Sequence, residues 1–239
     1  MGIFNHNAKI WEDIYSHKEW GKYPNENLIR FIAKNFYSAS NRNKIHILEL
    51  GFGTGANLWF CAREGFKISG IEWSQTAVKT FQQRLKDENL NPCIGDLKIG
   101  DYEQKLDEFE DESFDAWFDV YSLAYNDFAK TKNIIEKVMK KLKKNGKFFS
   151  ITPSLNNEGF YQENTKQYNN GRGGGYHSCI PKIGYATSTG IIRYCDLWDI
   201  QKLYNGENYK LEDFTLLSLK KFNTIFKELY IIKGKKYKK

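Results

Sequence analysis

Between residues 45 and 152, short apolar stretches alternate with amphipathic stretches of helical spacing. This alternation constrains the fold more than any other feature of the chain. "KIHILEL" reads as a buried strand, and "TGANLWFCAREG" as a helix closed by Gly65. "KISGIEWS" is a second strand, followed by a helix over "SQTAVKTFQQRLKDENL" with Ser74 as its cap. "CIGDLKIGDY" holds a third strand and "SFDAWFDVYSL" a fourth. A helix over "AKTKNIIEKVMKKLKKNG" is expected to end at Asn145-Gly146, before a fifth strand in "KFFSITPS". Trp59, Phe60, Trp117 and Phe118 read as core. Alternating strands and helices imply a parallel sheet covered on both faces, with ligands at the carboxyl ends of the strands.

The flanks differ from this core. Residues 1–43 read as helices, with Leu28, Ile29, Ile32 and Phe36 at helical spacing. The alternation stops at Pro153. Residues 154–190 are rich in Asn, Gly, Ser, Thr and Tyr and read as a long irregular insertion. "GIIRYCDLWDIQKLYNG" follows as a strand-like start and a helix. "DFTLLSLKKFNTIFKELYIIKG" reads as two strands about a turn, an antiparallel edge on the sheet. The length, 239 residues, suits one domain: helical segment 1–43, core 44–153, insertion 154–200, and terminal helix, strands and basic tail 201–239.

Bulk properties remove several function classes. No apolar run reaches the ~20 residues of a membrane span. The N-terminus lacks a basic start followed by a greasy stretch, and His6 stands where a myristoylation signal needs Ser or Thr. A cytoplasmic protein is the expectation. The four cysteines have no metal-ligand spacing. The net charge of +7 concentrates in "KVMKKLKKNGK" and "KGKKYKK", a helix end and a tail, so nucleic acid is not the expected partner.

The sharpest motif is "ILELGFGTGANLWF" at 47–60. Gly51, Gly53 and Gly55 clear side chains from a turn that a ligand can approach closely. "GFGTGA" satisfies the nicotinamide-dinucleotide fingerprint, and Glu72 follows where a carboxylate accepts ribose hydroxyls. Turn and acid alone fit either of two coenzymes. Three further features separate them. Glu49 stands before the turn, where a pyrophosphate would be repelled but a sulfonium and an amino group welcomed. "IGDY" ends the third strand with an Asp able to accept from an adenine amino group. "FEDESFDAWFDVYSLAYND" and "VMKKLKKNGKFFSI" then follow in order.

Taken together, "ILELGFGTGAN", "GIEWS", "GDY", "FEDESFDAWFDVYSLAYN" and "LKKNGKFFSI" resemble the class I S-adenosylmethionine-dependent methyltransferases. The resemblance covers about residues 45–152 and, more loosely, the final strands. It implies a Rossmann-like α/β fold, a doubly wound seven-stranded sheet whose last strand is antiparallel, with an N-terminal helical lid and an insertion after the fifth strand. It also implies S-adenosyl-L-methionine as cofactor and S-adenosyl-L-homocysteine as product. By this resemblance Gly51, Gly53 and Gly55 face the methionine part, and Glu49 holds its amino group. Phe52 replaces a frequent Cys and serves through its backbone. Glu72 binds the ribose, and Trp73 lies along the adenine. Asp101 and Tyr102 meet the adenine edge and face, with Asp96 the competitor for Asp101. Asp119, Val120 and Tyr121 reach the methionine and the reacting methyl. Tyr15, Trp20 and Tyr23 would close over the cofactor; packing of the lid helix onto the sheet explains the same rings.

The acceptor is less legible, because methyl transfer needs only an aligned nucleophile and sometimes a base. The Asn/Asp-Pro-Pro-Tyr motif of amino-methylating nucleic-acid enzymes is absent after the fourth strand, as is a Pro-Cys nucleophile. Asp119 and Asp127 lack a third metal ligand, so no metal is assigned. His177 is the candidate general base by its proton affinity, with Tyr125 the alternative. Arg172 and Arg193 suit a phosphate or carboxylate, beside Tyr176 and Tyr185. The chain is similar to stand-alone bacterial methyltransferases encoded with capsule or surface-glycan genes. That similarity implies a small polar substrate: a sugar, an activated sugar or a phosphate derivative. An RNA or protein substrate is the alternative.

Overall fold

A computed structural model describes residues 6–160, 167–168, 177–183, 186–221 and 224–237. The core alternates as expected: β1 (His46–Leu50), α3 (Ala56–Arg63), β2 (Lys67–Glu72), α4 (Gln75–Asp87), β3 (Ile94–Ile99), α5 (Tyr102–Leu106), β4 (Phe114–Val120), α6 (Phe128–Lys141) and β5 (Leu142–Pro153). Before it lie α1 (Asn7–His17) and α2 (Glu26–Phe36). After it come β6 (Gln167–Tyr168), β7 (Ser178–Cys179), β8 (Ile192–Arg193), α7 (Leu197–Tyr204), β9 (Tyr209–Lys221) and β10 (Thr224–Lys236).

Seven strands form one sheet in the order β3-β2-β1-β4-β5-β10-β9. β1 to β5 run parallel, and β10 is antiparallel to both β5 and β9. The last strand is therefore antiparallel, but it is inserted beside β5. The edge belongs to β9, so the two strands of the expected hairpin form the antiparallel edge of the sheet.

Adjacent strand residues point to opposite faces, and both faces are apolar. Leu48, Trp117 and Phe148 pack with Ile134, Ile135 and Val138 of α6 and Ile200 and Leu203 of α7. Their neighbours Ile47, Phe118 and Phe149 pack on the other face with Leu28, Phe31 and Ile32 of α2, Leu58 of α3 and Phe81 of α4. Trp117 and Phe118 are fully buried as expected. Trp59 instead lies under the Arg84 guanidinium and donates its indole N–H to Glu88.

Three local readings change. α6 ends at Lys141, four residues before the expected Asn145-Gly146 stop. Leu142 already pairs with Phe114, and the chain resumes register at Lys147 opposite Ala116, so the Asn-Gly step is a bulge within β5. Asn145 still takes the left-handed conformation that made it look like a helix stop. α5 was not anticipated; it is one short turn, capped by Asp101. Within the insertion, β6, β7 and β8 form a small antiparallel sheet.

Candidate active site

The carboxyl ends of β1, β2 and β4 open into a cavity of about 590 Å³ roofed by α1 and the segment after it. Its floor is the glycine turn. Gly51 and Gly53 both have positive φ. A Cβ at Gly51 would lie 2.5 Å from the Tyr102 hydroxyl, and one at Gly53 2.6 Å from the Tyr15 hydroxyl. The turn therefore needs glycine at both positions to admit its own neighbours. Gly55 differs from expectation. It does not line the cavity, and a Cβ there would sit 2.0 Å from Phe81 of α4. The third glycine lets two helices approach.

Glu72 organises this floor. One carboxylate oxygen accepts the Gly53 N–H at 2.8 Å and the other the Ser74 N–H at 2.9 Å. The carboxylate lines the cavity. Burial raises its pKa. Trp73 and Tyr102 stack with centroids 5.4 Å apart and planes 12° from parallel, forming one aromatic wall.

Glu49 is the most informative group. It is 1% exposed. Its Oε1 accepts from the Asn57 amide at 2.8 Å, while Oε2 is buried with no partner. Burial, then the nearby Glu72 and Asp119 carboxylates, hold its pKa well above the ordinary value. A buried carboxylate oxygen lacking a donor is costly, and a cationic donor from a ligand would satisfy it. The donor set thus fits an amino-bearing, positively charged cofactor and is hostile to a pyrophosphate.

The roof is aromatic. Trp11 packs against Tyr15 (5.3 Å), Trp20 (5.4 Å) and Tyr125 (5.1 Å). Two tethers hold it down. Glu12 of α1 accepts from the Thr76 hydroxyl at 2.5 Å at the start of α4. Asn7, 1% exposed, donates to the Tyr125 and Ile191 carbonyls and accepts the Ile191 N–H. Asn57 adds a third link, accepting from the Asn25 N–H beside α2. No sequence pattern marks Asn7, Asn57 or Thr76, which act through individual long-range hydrogen bonds outside any periodicity.

The remaining predicted residues divide. Val120, Tyr121, Phe52, Tyr23 and Tyr125 line the cavity. Tyr121 turns the chain at a φ of +69°. Tyr125 donates to Thr189 at 2.9 Å, and burial pushes its pKa up to about 12, so it keeps its proton at neutral pH. Asp101 is not among the lining residues: it caps α5 and pairs with Lys130 at 2.5 Å. Asp119 is fully buried behind the β4 end, accepting the Leu123 N–H, and burial lifts its pKa to about 6. His177 lies away from the cavity lining, its Nδ1 3.2 Å from Asp199 in the capping box of α7. Arg193 is buried and spent internally on the Asn126 carbonyl, Cys195 and Thr131. Arg172, Tyr176 and Tyr185 lie outside the described residues.

Residues 47–146 match the family model of a methyltransferase domain. That span is a methyltransferase domain, consistent with the class I S-adenosylmethionine-dependent enzymes. Solved structures share the fold. A SAM-dependent methyltransferase from Methanosarcina mazei superposes with a TM-score of 0.65 at 16% identity, over 81% of this chain and 93% of that one. The CcbJ methyltransferase from Streptomyces caelestis gives 0.66 at 14% identity, over 98% and 99%. The 1,6-didemethyltoxoflavin-N1-methyltransferase from Burkholderia thailandensis, solved with its substrate and S-adenosylhomocysteine, gives 0.61 at 8% identity, over 89% and 77%. These likenesses show the shared fold. No curated protein sequence matches this chain. The methyltransferase has no helix, among the described residues, long and apolar enough to cross a membrane.

Proposed function

We propose that this methyltransferase acts on a small, unphosphorylated polar metabolite held beneath the aromatic roof. One observation carries the reading. Among the described residues the cavity is lined by three glutamates (Glu26, Glu49 and Glu72) and nine aromatic side chains, with no lysine, arginine or histidine. A phosphate brought there would meet like charge and no bidentate partner. A sugar, which the sequence resemblance favours, stays within the class; activated sugar phosphates fall outside it. The surface-glycan setting rests on that resemblance alone.

The same lining suggests residue roles. Glu49 would take the cofactor's amino group, Glu72 its ribose hydroxyls, and Trp73 with Tyr102 its adenine. The bound cofactor supplies a methyl group already activated on sulfur. Trp11, Tyr15 and Trp20 exclude water and present flat apolar faces to the acceptor. Tyr125 keeps its proton and donates it to Thr189, so toward a ligand it would offer an acceptor oxygen and not a base. With no histidine in the described lining, a nitrogen acceptor demands least of the protein. A sugar hydroxyl is the second reading, favoured by the flat rings on which a sugar's C–H face can lie.

The charge distribution disfavours an RNA substrate. Lys143, Lys147, Lys233 and Lys235 sit toward the amino ends of the parallel strands, away from the cavity, and pair with Asp115, Glu212, Asp213 and Glu212. Transfer of labelled methyl from S-adenosylmethionine would be assayed against amines and amino sugars, neutral sugars, and sugar phosphates. The expected acceptors are in the first two groups. Preferred turnover of a sugar phosphate, or of RNA, would overturn the proposal.

A further inference from the structure

β9 ends the sheet, and β10 is its single strand partner among the described residues. Its other edge leaves backbone N–H and C=O groups open. Pairing of β9 with β10 is regular from Asp213, opposite Lys233, to Leu219, opposite Lys227, and irregular beyond each end. This regular run, "DFTLLSL", has no proline. Its one charge, Asp213, is already paired with Lys233 at 3.0 Å. Natural edges are normally blunted by charge, proline, bulges or a covering element. Here Phe214, Leu216 and Leu219 are instead 41%, 46% and 47% exposed.

We propose that β9 is a homodimer interface, pairing antiparallel with β9 of a second copy about a two-fold axis at Leu216. Leu216 is the midpoint of the regular run. The axis sets Leu216 beside its own mate, Phe214 beside Ser218, and Thr215 beside Leu217. Phe214 and Leu216 share one face, opposite Ile232 and Tyr230 of β10, so the two copies make a continuous apolar strip across the junction. The flanking charges match as well: the acidic end of the strand, Glu212 and Asp213, comes toward Lys220 of the other copy. A parallel approach would set acid against acid and lysine against lysine. The strand is thus complementary to itself in one orientation, as an isologous contact requires. The cavity lies at the β1, β2 and β4 ends, so pairing at β9 leaves both cofactor sites open.

Sedimentation analysis of the full chain across the micromolar range tests this. A dimer is expected. Leu216→Lys, which sets two lysines directly opposite at the axis, should weaken it by at least about tenfold. Lys220→Glu, which brings an acid toward the acidic end of the other copy, should weaken it by about threefold or more. Leu216 is exposed in the single chain, so the affinity for S-adenosylhomocysteine should hold in both variants, showing that the fold survives. A monomer at every concentration would overturn the proposal, as would a dimer that both substitutions leave intact.

Discussion

Replacing Glu49 by Gln should move stability and cofactor affinity in opposite directions. Glu49 is fully buried, and burial with two neighbouring carboxylates holds its folded pKa well above 4.5. A carboxyl whose folded pKa is raised binds protons more tightly when folded. Ligand-free stability therefore falls as pH rises from about 4.5 toward the folded pKa, by about 1.4 kcal/mol per pH unit. Gln keeps the shape, still meets Asn57, and removes that loss, so the thermal midpoint at neutral pH should rise. The cofactor's ammonium needs the ionised carboxylate, whose Oε2 has no other partner. A charge-assisted hydrogen bond contributes about 1.5–3 kcal/mol, so affinity should fall by about 10- to 150-fold. Wild-type affinity should also decline as pH falls through the same window, and the variant's should not. Calorimetric titration with S-adenosylhomocysteine between pH 5 and 8, beside thermal scans, reads both effects. A variant that melts higher yet binds within about threefold of wild type would refute the assignment of Glu49 to the ammonium.

Gly55→Ala should cost about 2–5 kcal/mol, from the collision with Phe81 and the left-handed backbone. Its folded fraction should bind S-adenosylhomocysteine nearly as wild type, which a cofactor-facing glycine would not allow; denaturant titration with and without ligand checks this. His177→Ala should leave kcat within about threefold, whereas loss of a general base costs ~10²–10⁴-fold; steady-state rates on any accepted substrate decide. Thr76→Val removes the hydroxyl bond to Glu12 that latches α1 to α4. Cofactor release should then quicken by about 3- to 10-fold, the cost of one net hydrogen bond, measured by stopped-flow fluorescence from the cavity tryptophans.

The core was legible because parallel strands buried on both faces read as short, mostly apolar runs such as "HILEL", and because Gly51 and Gly53 occupy a turn with little freedom of composition. Positions fixed by chain order, such as Glu49 and Glu72, fell on the cavity wall for the same reason. Readings that depended on side-chain partners were not legible. Asp101 looked free at a strand end, yet Lys130, 29 residues on, claims it. His177 looked like a base by chemistry alone, but the capping box of α7 draws it toward Asp199. Arg193 looked like an anion site and is a buried brace. The stop at Asn145-Gly146 failed because one left-handed residue serves equally a helix end and a bulge in a strand.

The most direct test of the account is a crystal structure with S-adenosylhomocysteine at neutral pH. The amino group is expected on Glu49 Oε2, the ribose hydroxyls on Glu72, and the adenine against Trp73 and Tyr102. A ligand bound elsewhere, or one that leaves Glu49 Oε2 without a partner, would contradict it.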